Sequence, residues 1–220
     1  MLTFKNPTHF RQIVVCSLLA ERPFVLESIR YGEPNPGLTE YEIQFLKLVD
    51  QVTNGTKIQI EEKGKALKFY PGVITNNDGN EFTFDCGLLR AMTYFLEPLA
   101  MIAIFGKANL NCLLQGITND ELDYSVDTFN NCTLRLLKEF GVEGELSLKV
   151  YKRGFRPEAG GEVRLKIPFV KSLKAVQLVD EGKVKRIRGV STASKVSPQI
   201  LNRIVDSARG VLNDYIPDVW

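Results

Sequence analysis

The apolar positions change period along the chain, and the change repeats. Leu2 to Phe4 has the look of a short strand. Asn6-Pro7 then supplies an N-cap with proline at the first helical position, and Phe10, Ile13, Val14 and Leu18 fall on one helical face up to Arg22-Pro23. Phe24 to Arg30 alternates like a strand, with Phe24, Leu26 and Ser28 on one side. Pro34 to Leu38 is a turn. Thr39 and Glu42 have the spacing of a capping box ahead of a helix with Ile43, Leu46, Val49 and Val52 down one side, closed by Asn54-Gly55. Lys57 to Glu61 and Ala66 to Tyr70 pair as a hairpin across Lys63-Gly64.

The pattern then starts again. Glu81 to Asp85 is a predicted strand, Leu88 to Phe105 a helix, Leu110 to Gly116 a strand and Ser125 to Phe140 a helix. Glu145 to Lys152 and Glu162 to Phe169 are two further strands. Both halves read strand–helix–strand–helix–strand–strand without obvious sequence identity. Two such units predict an α+β class, sheets backed by helices. From about Val179 the pattern differs. Lys183 to Ser194 reads as a strand. Ser197-Pro198 caps a helix whose apolar face is Ile200, Ile204, Ala208, Val211 and Leu212. A lone strand and helix cannot bury their own faces, so the sequence is expected to be a piece, or a shortened form, of a longer chain.

Composition narrows the function classes. With 44% hydrophobic and 25% charged residues, the chain is a folded soluble protein rather than a disordered one. The most apolar run, Leu88 to Phe105, carries Arg90, Glu97 and Pro98, so it reads as a buried helix and no membrane partner is expected. Cys16, Cys86, Cys112 and Cys132 are too far apart for a local metal-ligand pair and are expected to be reduced and buried. The single histidine, His9, rules out the usual nucleophilic triads and reads as an exposed first-turn residue. There is no Walker-type or dinucleotide loop. Asn119, Asp120, Asp123 and Asp127 are explained by turn and cap chemistry without a metal. Neither a cofactor nor a metal is expected.

The net charge of +2 hides an asymmetry. Lys149 to Lys195 holds thirteen Lys and Arg against four Asp and Glu. That is the footprint of a face that meets a polyanion. On a strand, Lys183 and Lys185 would point one way and Arg186 and Arg188 the other, which suits an edge or a phosphate-binding ribbon. The stretch Gly154 to Gly161 is either a long hairpin turn or a phosphate loop with Arg156 beside it. The RNA- or anion-binding candidates are Arg11, Arg30, Lys152, Arg153, Arg156, Lys183, Lys185, Arg186 and Arg188.

Phe10-Arg11-Gln12, Glu27-Ser28-Ile29-Arg30, Asn35-Pro36-Gly37-Leu38, Gly116-Ile117-Thr118-Asn119-Asp120, Arg153-Gly154 with Gly160-Gly161-Glu162-Val163, and Arg186-Ile187-Arg188-Gly189 resemble the RNA 3′-terminal phosphate cyclases. Val196-Ser197-Pro198 and Asn202-Arg203-Ile204-Val205-Asp206 are similar to the cyclase-like branch of that family in particular. The resemblance implies a core of repeated βαβαββ units with a small inserted α/β domain. Two of three repeats would occupy 1–178 (about 1–76 and 80–170), with the insert beginning at 179–220 and the third repeat past Trp220. It implies a nucleolar role in early pre-ribosomal RNA processing, within the small-subunit processome and beside a ribosome-assembly GTPase. The implied partners are pre-ribosomal RNA, that GTPase and other processome proteins. The departures argue against cyclase catalysis. Lys5 to His9 stands where cyclases have a glycine-rich loop, Glu33 stands for an arginine, and Tyr41-Glu42 stands for a Gln-His pair. The nucleotidylated histidine of the family would lie past Trp220, as would the residues of an endonuclease role proposed for the branch. A non-catalytic RNA-binding assembly factor is therefore expected, with a processing enzyme, nuclease or less readily cyclase, as the alternative.

Overall fold

A computed structural model describes residues 1–220, apart from the side chain of Glu62. The chain is α+β and divides into two compact units, Met1–Ala175 and Val176–Trp220.

The first unit contains the same run of elements twice. The first run is β1 (Leu2–Lys5), α1 (Phe10–Ala20), β2 (Phe24–Glu27), α2 (Glu40–Val52), β4 (Lys57–Ile60) and β5 (Leu67–Tyr70). Its sheet has the order β1-β2-β5-β4, with β1 and β2 parallel and the other pairs antiparallel. A two-residue pair, β3 (Thr53–Asn54) with β6 (Val73–Ile74), closes this half. The second run is β7 (Phe82–Asp85), α3 (Thr93–Ala103), β8 (Leu110–Gly116), the helical stretch α4 (Val126–Thr128), a π turn (Phe129–Thr133) and α5 (Leu134–Glu139), then β9 (Ser147–Lys152) and β10 (Gly161–Ile167). Its sheet order, β7-β8-β10-β9, repeats the first, down to the one parallel pair.

Period-two alternation decides which side of each sheet is dry. Phe24, Leu26, Leu67 and Phe69 point into the core of the first half, and Phe82, Phe84, Leu114, Val163 and Leu165 into that of the second. The intervening residues, such as Lys68, Lys149 and Arg164, lie on the other side, as in an antiparallel sheet with one solvated face. The helices of the two halves meet: α1 and α2 both pack on α3. Each fully buried Phe here contributes about 1.5–3 kcal/mol, and Phe24, Phe45, Phe69, Phe95 and Phe129 are of that kind. Asn76 joins the halves. It is fully buried in the left-handed conformation, and its Nδ2 donates to the carbonyls of Ala103 and Ala108 at 2.7 Å each.

Several expectations need correction. The first helix starts at Phe10 with His9 as its N-cap, not at Pro7. Asn6 follows the strand, its N–H reaching the Glu27 carbonyl and its backbone in the left-handed conformation. His9 itself is exposed. The second strand stops at Glu27, because Ser28 and Arg30 are both left-handed. The helix expected from Leu88 begins only at Thr93. Ala91 bridges to Ile117 and the Ala91 N–H binds Asp120, which holds the preceding residues in a loop. Cys86 and Cys112 are buried, but Cys16 and Cys132 are exposed. Cys16 lies off the stripe formed by Phe10, Val14 and Leu18, and Cys132 falls in the π turn.

In the second unit, α6 (Pro198–Leu212) is capped as its sequence predicts, Ser197 accepting the Gln199 N–H with Pro198 in the first turn. The strand expected over 183–194 is not there. Only Ile187 forms a bridge, isolated and parallel, to Val219; beside it Gly189 donates to the Trp220 carbonyl, and the stretch forms no strand. None of the α6 residues is buried.

Candidate nucleic-acid interface

Arg30 sits in the left-handed turn that ends β2, a loop held by the Ile29 N–H on the Lys65 carbonyl and the Gly37 N–H on the Ile29 carbonyl. Its guanidinium faces the first turn of α2. It donates to both oxygens of Glu42, at 2.5 and 2.9 Å, and to the Gly37 carbonyl at 2.6 Å. The hydrogen bonds to Glu42 raise the Arg30 pKa and outweigh the cost of burial. Glu42 is itself buried and also accepts the Thr39 N–H at 2.8 Å, which is the carboxylate half of the predicted capping box. The Thr39 side chain faces the Glu42 N–H and completes the box, though too loosely for a hydrogen bond of ordinary geometry, which leaves the buried Thr39 Oγ1 without one.

A second cluster lies where the halves meet. Arg90, in the loop before α3, forms a bidentate pair with Asp123 at 2.6 and 2.7 Å. Its guanidinium lies over the rings of Tyr94 and Tyr41, 4.5 and 5.1 Å from their centroids. Arg11 of α1 lies over the Tyr94 ring at 4.4 Å and donates to the Tyr94 carbonyl and to Glu97. Burial raises the Tyr94 pKa, so its phenol stays neutral between the two cations. The hydrogen bonds to Asp123 raise that of Arg90. Arg90, Tyr41 and Tyr94 were not among the candidates read from sequence. The one available signal was a lone arginine in an apolar run.

The loops of the second half bound a cleft of about 650 Å³, lined by Asn119, Asp120, Glu121, Leu122, Phe155 and Arg156. Asp120 organises it by accepting the N–H groups of Ala91, Leu122 and Asp123. The glycine-rich stretch is the connection between β9 and β10. Arg156 reaches from it to the Leu89 carbonyl and comes within 3.6 Å of Asp120. Arg153 is bidentate on Asp127, at 2.7 and 2.9 Å, and holds that carboxyl below its usual range. Lys152 pairs with Glu162.

The nine candidates thus separate by partner. Arg11, Arg30, Lys152, Arg153 and Arg156 of the first unit each have a carboxylate within 4 Å, as does Arg188 of the second, which pairs with Asp218 at 2.8 Å. Lys183, Lys185 and Arg186 are exposed and make no ion pair among the described residues. No group of residues suited to a metal ion occurs among the described residues, and none of their helices is long and apolar enough to cross a membrane.

A family model described as RNA 3′-terminal phosphate cyclase matches residues 2–214. Over its whole length the chain is 44% identical to a probable RNA 3′-terminal phosphate cyclase-like protein of Dictyostelium discoideum, covering 59% of that protein. It is 45% identical to the RNA 3′-terminal phosphate cyclase-like protein of Bos taurus, covering 58% of it. It is 38% identical to the rRNA processing protein rcl1 of Schizosaccharomyces pombe, with 99% of this chain and 60% of the relative aligned. The chain therefore spans less than two thirds of the length of these relatives.

Proposed function

Because the chain belongs to the RNA 3′-terminal phosphate cyclase family, with cyclase-like proteins as its relatives, we propose that it is an RNA-binding, non-catalytic factor in ribosomal RNA processing. The finer reading places it in the nucleolus, in the small-subunit processome at early pre-ribosomal RNA cleavage, bound to a ribosome-assembly GTPase. On the same reading the second unit is the opening part of an inserted domain, and the first unit is two of three core repeats.

The observation that carries the non-catalytic reading is the Arg30–Glu42 pair. A guanidinium that would bind phosphate through its planar fork is already met on that fork by the chain's own carboxylate. Glu33 in the same loop adds a further negative charge beside it. RNA binding is supported by the cations that have no such partner, Lys183, Lys185 and Arg186, within a segment rich in Lys and Arg.

The test has two arms. Binding of a pre-ribosomal RNA fragment should fall steeply with salt, and the variant K185E/R186E/R188E should weaken it. Unchanged affinity would refute the binding role of this segment. Incubation with ATP and 3′-phosphorylated or internally labelled RNA should leave both RNA and protein unmodified. A nucleotide–protein adduct or a discrete cleavage product would establish the processing-enzyme alternative instead.

A further inference from the structure

The solvated face of the second sheet carries an aromatic residue that the core does not use. Tyr151 is 46% exposed. It is the extra residue of a β-bulge on the edge strand β9, where Val150 pairs with Val163 and Lys152 with Glu162. Lys149 Nζ lies 5.0 Å from the centroid of its ring, and Arg164 Cζ, on β10, lies 5.6 Å from it. Lys149 and Arg164 are directly paired across the strands. The first half has a related arrangement on β4 and β5, where Tyr70, also exposed, is paired across from Lys57, and Lys68 lies nearby on β5.

Protection of an edge strand needs a lysine or a bulge, and does not need a solvent-facing ring. A ring flanked by cations has another use: a base stacks on its face while the cations meet the adjoining phosphates. The carboxylates on this side do not close it. Arg164 pairs with Glu81, Lys152 with Glu162 and Lys166 with Glu145, at 2.6 to 2.8 Å. These pairs are at least partly exposed, so exchanging a carboxylate for a phosphate oxygen changes little energy. Lys149 has no carboxylate partner among the described residues.

We infer that the face centred on Tyr151, with Lys149 and Arg164 beside it, is a contact site for single-stranded RNA. This rests on the RNA-binding reading above, and adds a ligand class and a second contact outside Lys183 to Arg188.

The experiment measures anisotropy of a short fluorescein-labelled oligouridylate, and of a duplex of equal length, with the full chain. Tyr151→Ala should weaken single-strand binding roughly tenfold and leave duplex binding unchanged. Tyr151→Phe, which keeps the ring, should stay within about twofold of the parent. The Tyr151→Ala loss should persist in the K185E/R186E/R188E background. A 4-thiouridine oligonucleotide should cross-link to the peptide containing Tyr151 in the unsubstituted chain, a readout independent of any effect on folding. If the parent chain binds the oligonucleotide but Tyr151→Ala binds equally well, or the cross-link maps elsewhere, this inference fails and the general RNA-binding reading stands. If the parent chain binds no RNA of either kind, both fail.

Discussion

A guanidinium that donates in parallel to both oxygens of one carboxylate has committed a bidentate edge that would otherwise grip a phosphate, and Arg30, Arg90 and Arg153 are each held in this way. Glu42 is the most consequential of the three partners, because its side chain is nearly inaccessible. Replacing it by glutamine keeps an acceptor for the Thr39 N–H and removes the charge. Glu42→Gln should therefore destabilise the chain by about 2–3 kcal/mol, the cost of leaving a half-buried guanidinium without its counter-ion. A urea midpoint lowered at constant m would record this. A change below about 0.5 kcal/mol would reduce the pair to the worth of a surface bridge. Glu42 was legible as a helix cap from Thr39 and the spacing alone. Its bond to Arg30 was not, since nothing local announces a contact across a twelve-residue loop closed by tertiary hydrogen bonds. Arg90 was hidden for a related reason: its neighbours read as a helix.

At the scale of elements, strands and helices with a strong period were read correctly, and their ends were not. The start of α3 is set by Ile117 and Asp120, residues from another loop, while Leu88 and Leu89 have a helical composition of their own. The strand expected over 183–194 failed because alternation of charge was mistaken for alternation of environment; a ladder needs a neighbour along its length, and here only Ile187 and Gly189 meet one, at Asp218 and Trp220. The hairpin between β9 and β10 shows the opposite case, where glycine is required by space. A Cβ on Gly154 would fall inside contact distance of the backbone of Gly116 and Gly161, at the point where the Gly154 carbonyl accepts the N–H and hydroxyl of Thr118. Gly154→Ala should cost at least about 1–3 kcal/mol, as overpacking does, lowering the thermal midpoint. Retention of the parent midpoint would mean that the loop can shift to make room.

For the whole molecule, the duplication was legible in the order of elements although the two halves share no obvious sequence identity. What repeats is the order of elements and the period of apolar positions, and both halves share one strand order and one dry face per sheet. The chain divides into units at Ala175/Val176. Residues 176–186 have no regular structure and are mostly exposed, and five further lysines and arginines follow Lys174 before Val196. Brief trypsin treatment should cut first between Lys174 and Lys195 and leave a fragment close to Met1–Ala175 intact. First cuts inside the two sheets of the first unit would contradict the division.

Glu42 begins a helix and neutralises an arginine from a different loop with the same two oxygens. Heredity has little freedom at such a position. Loss of Arg30 would strand the buried acid, and loss of Glu42 would strand the arginine and unseat the cap, so a lineage can leave this arrangement only by steps that each begin with a less stable protein. Wherever position 42 carries the acid, position 30 should therefore keep its arginine, and a chimera that takes the acid without the arginine should fold worse than either source.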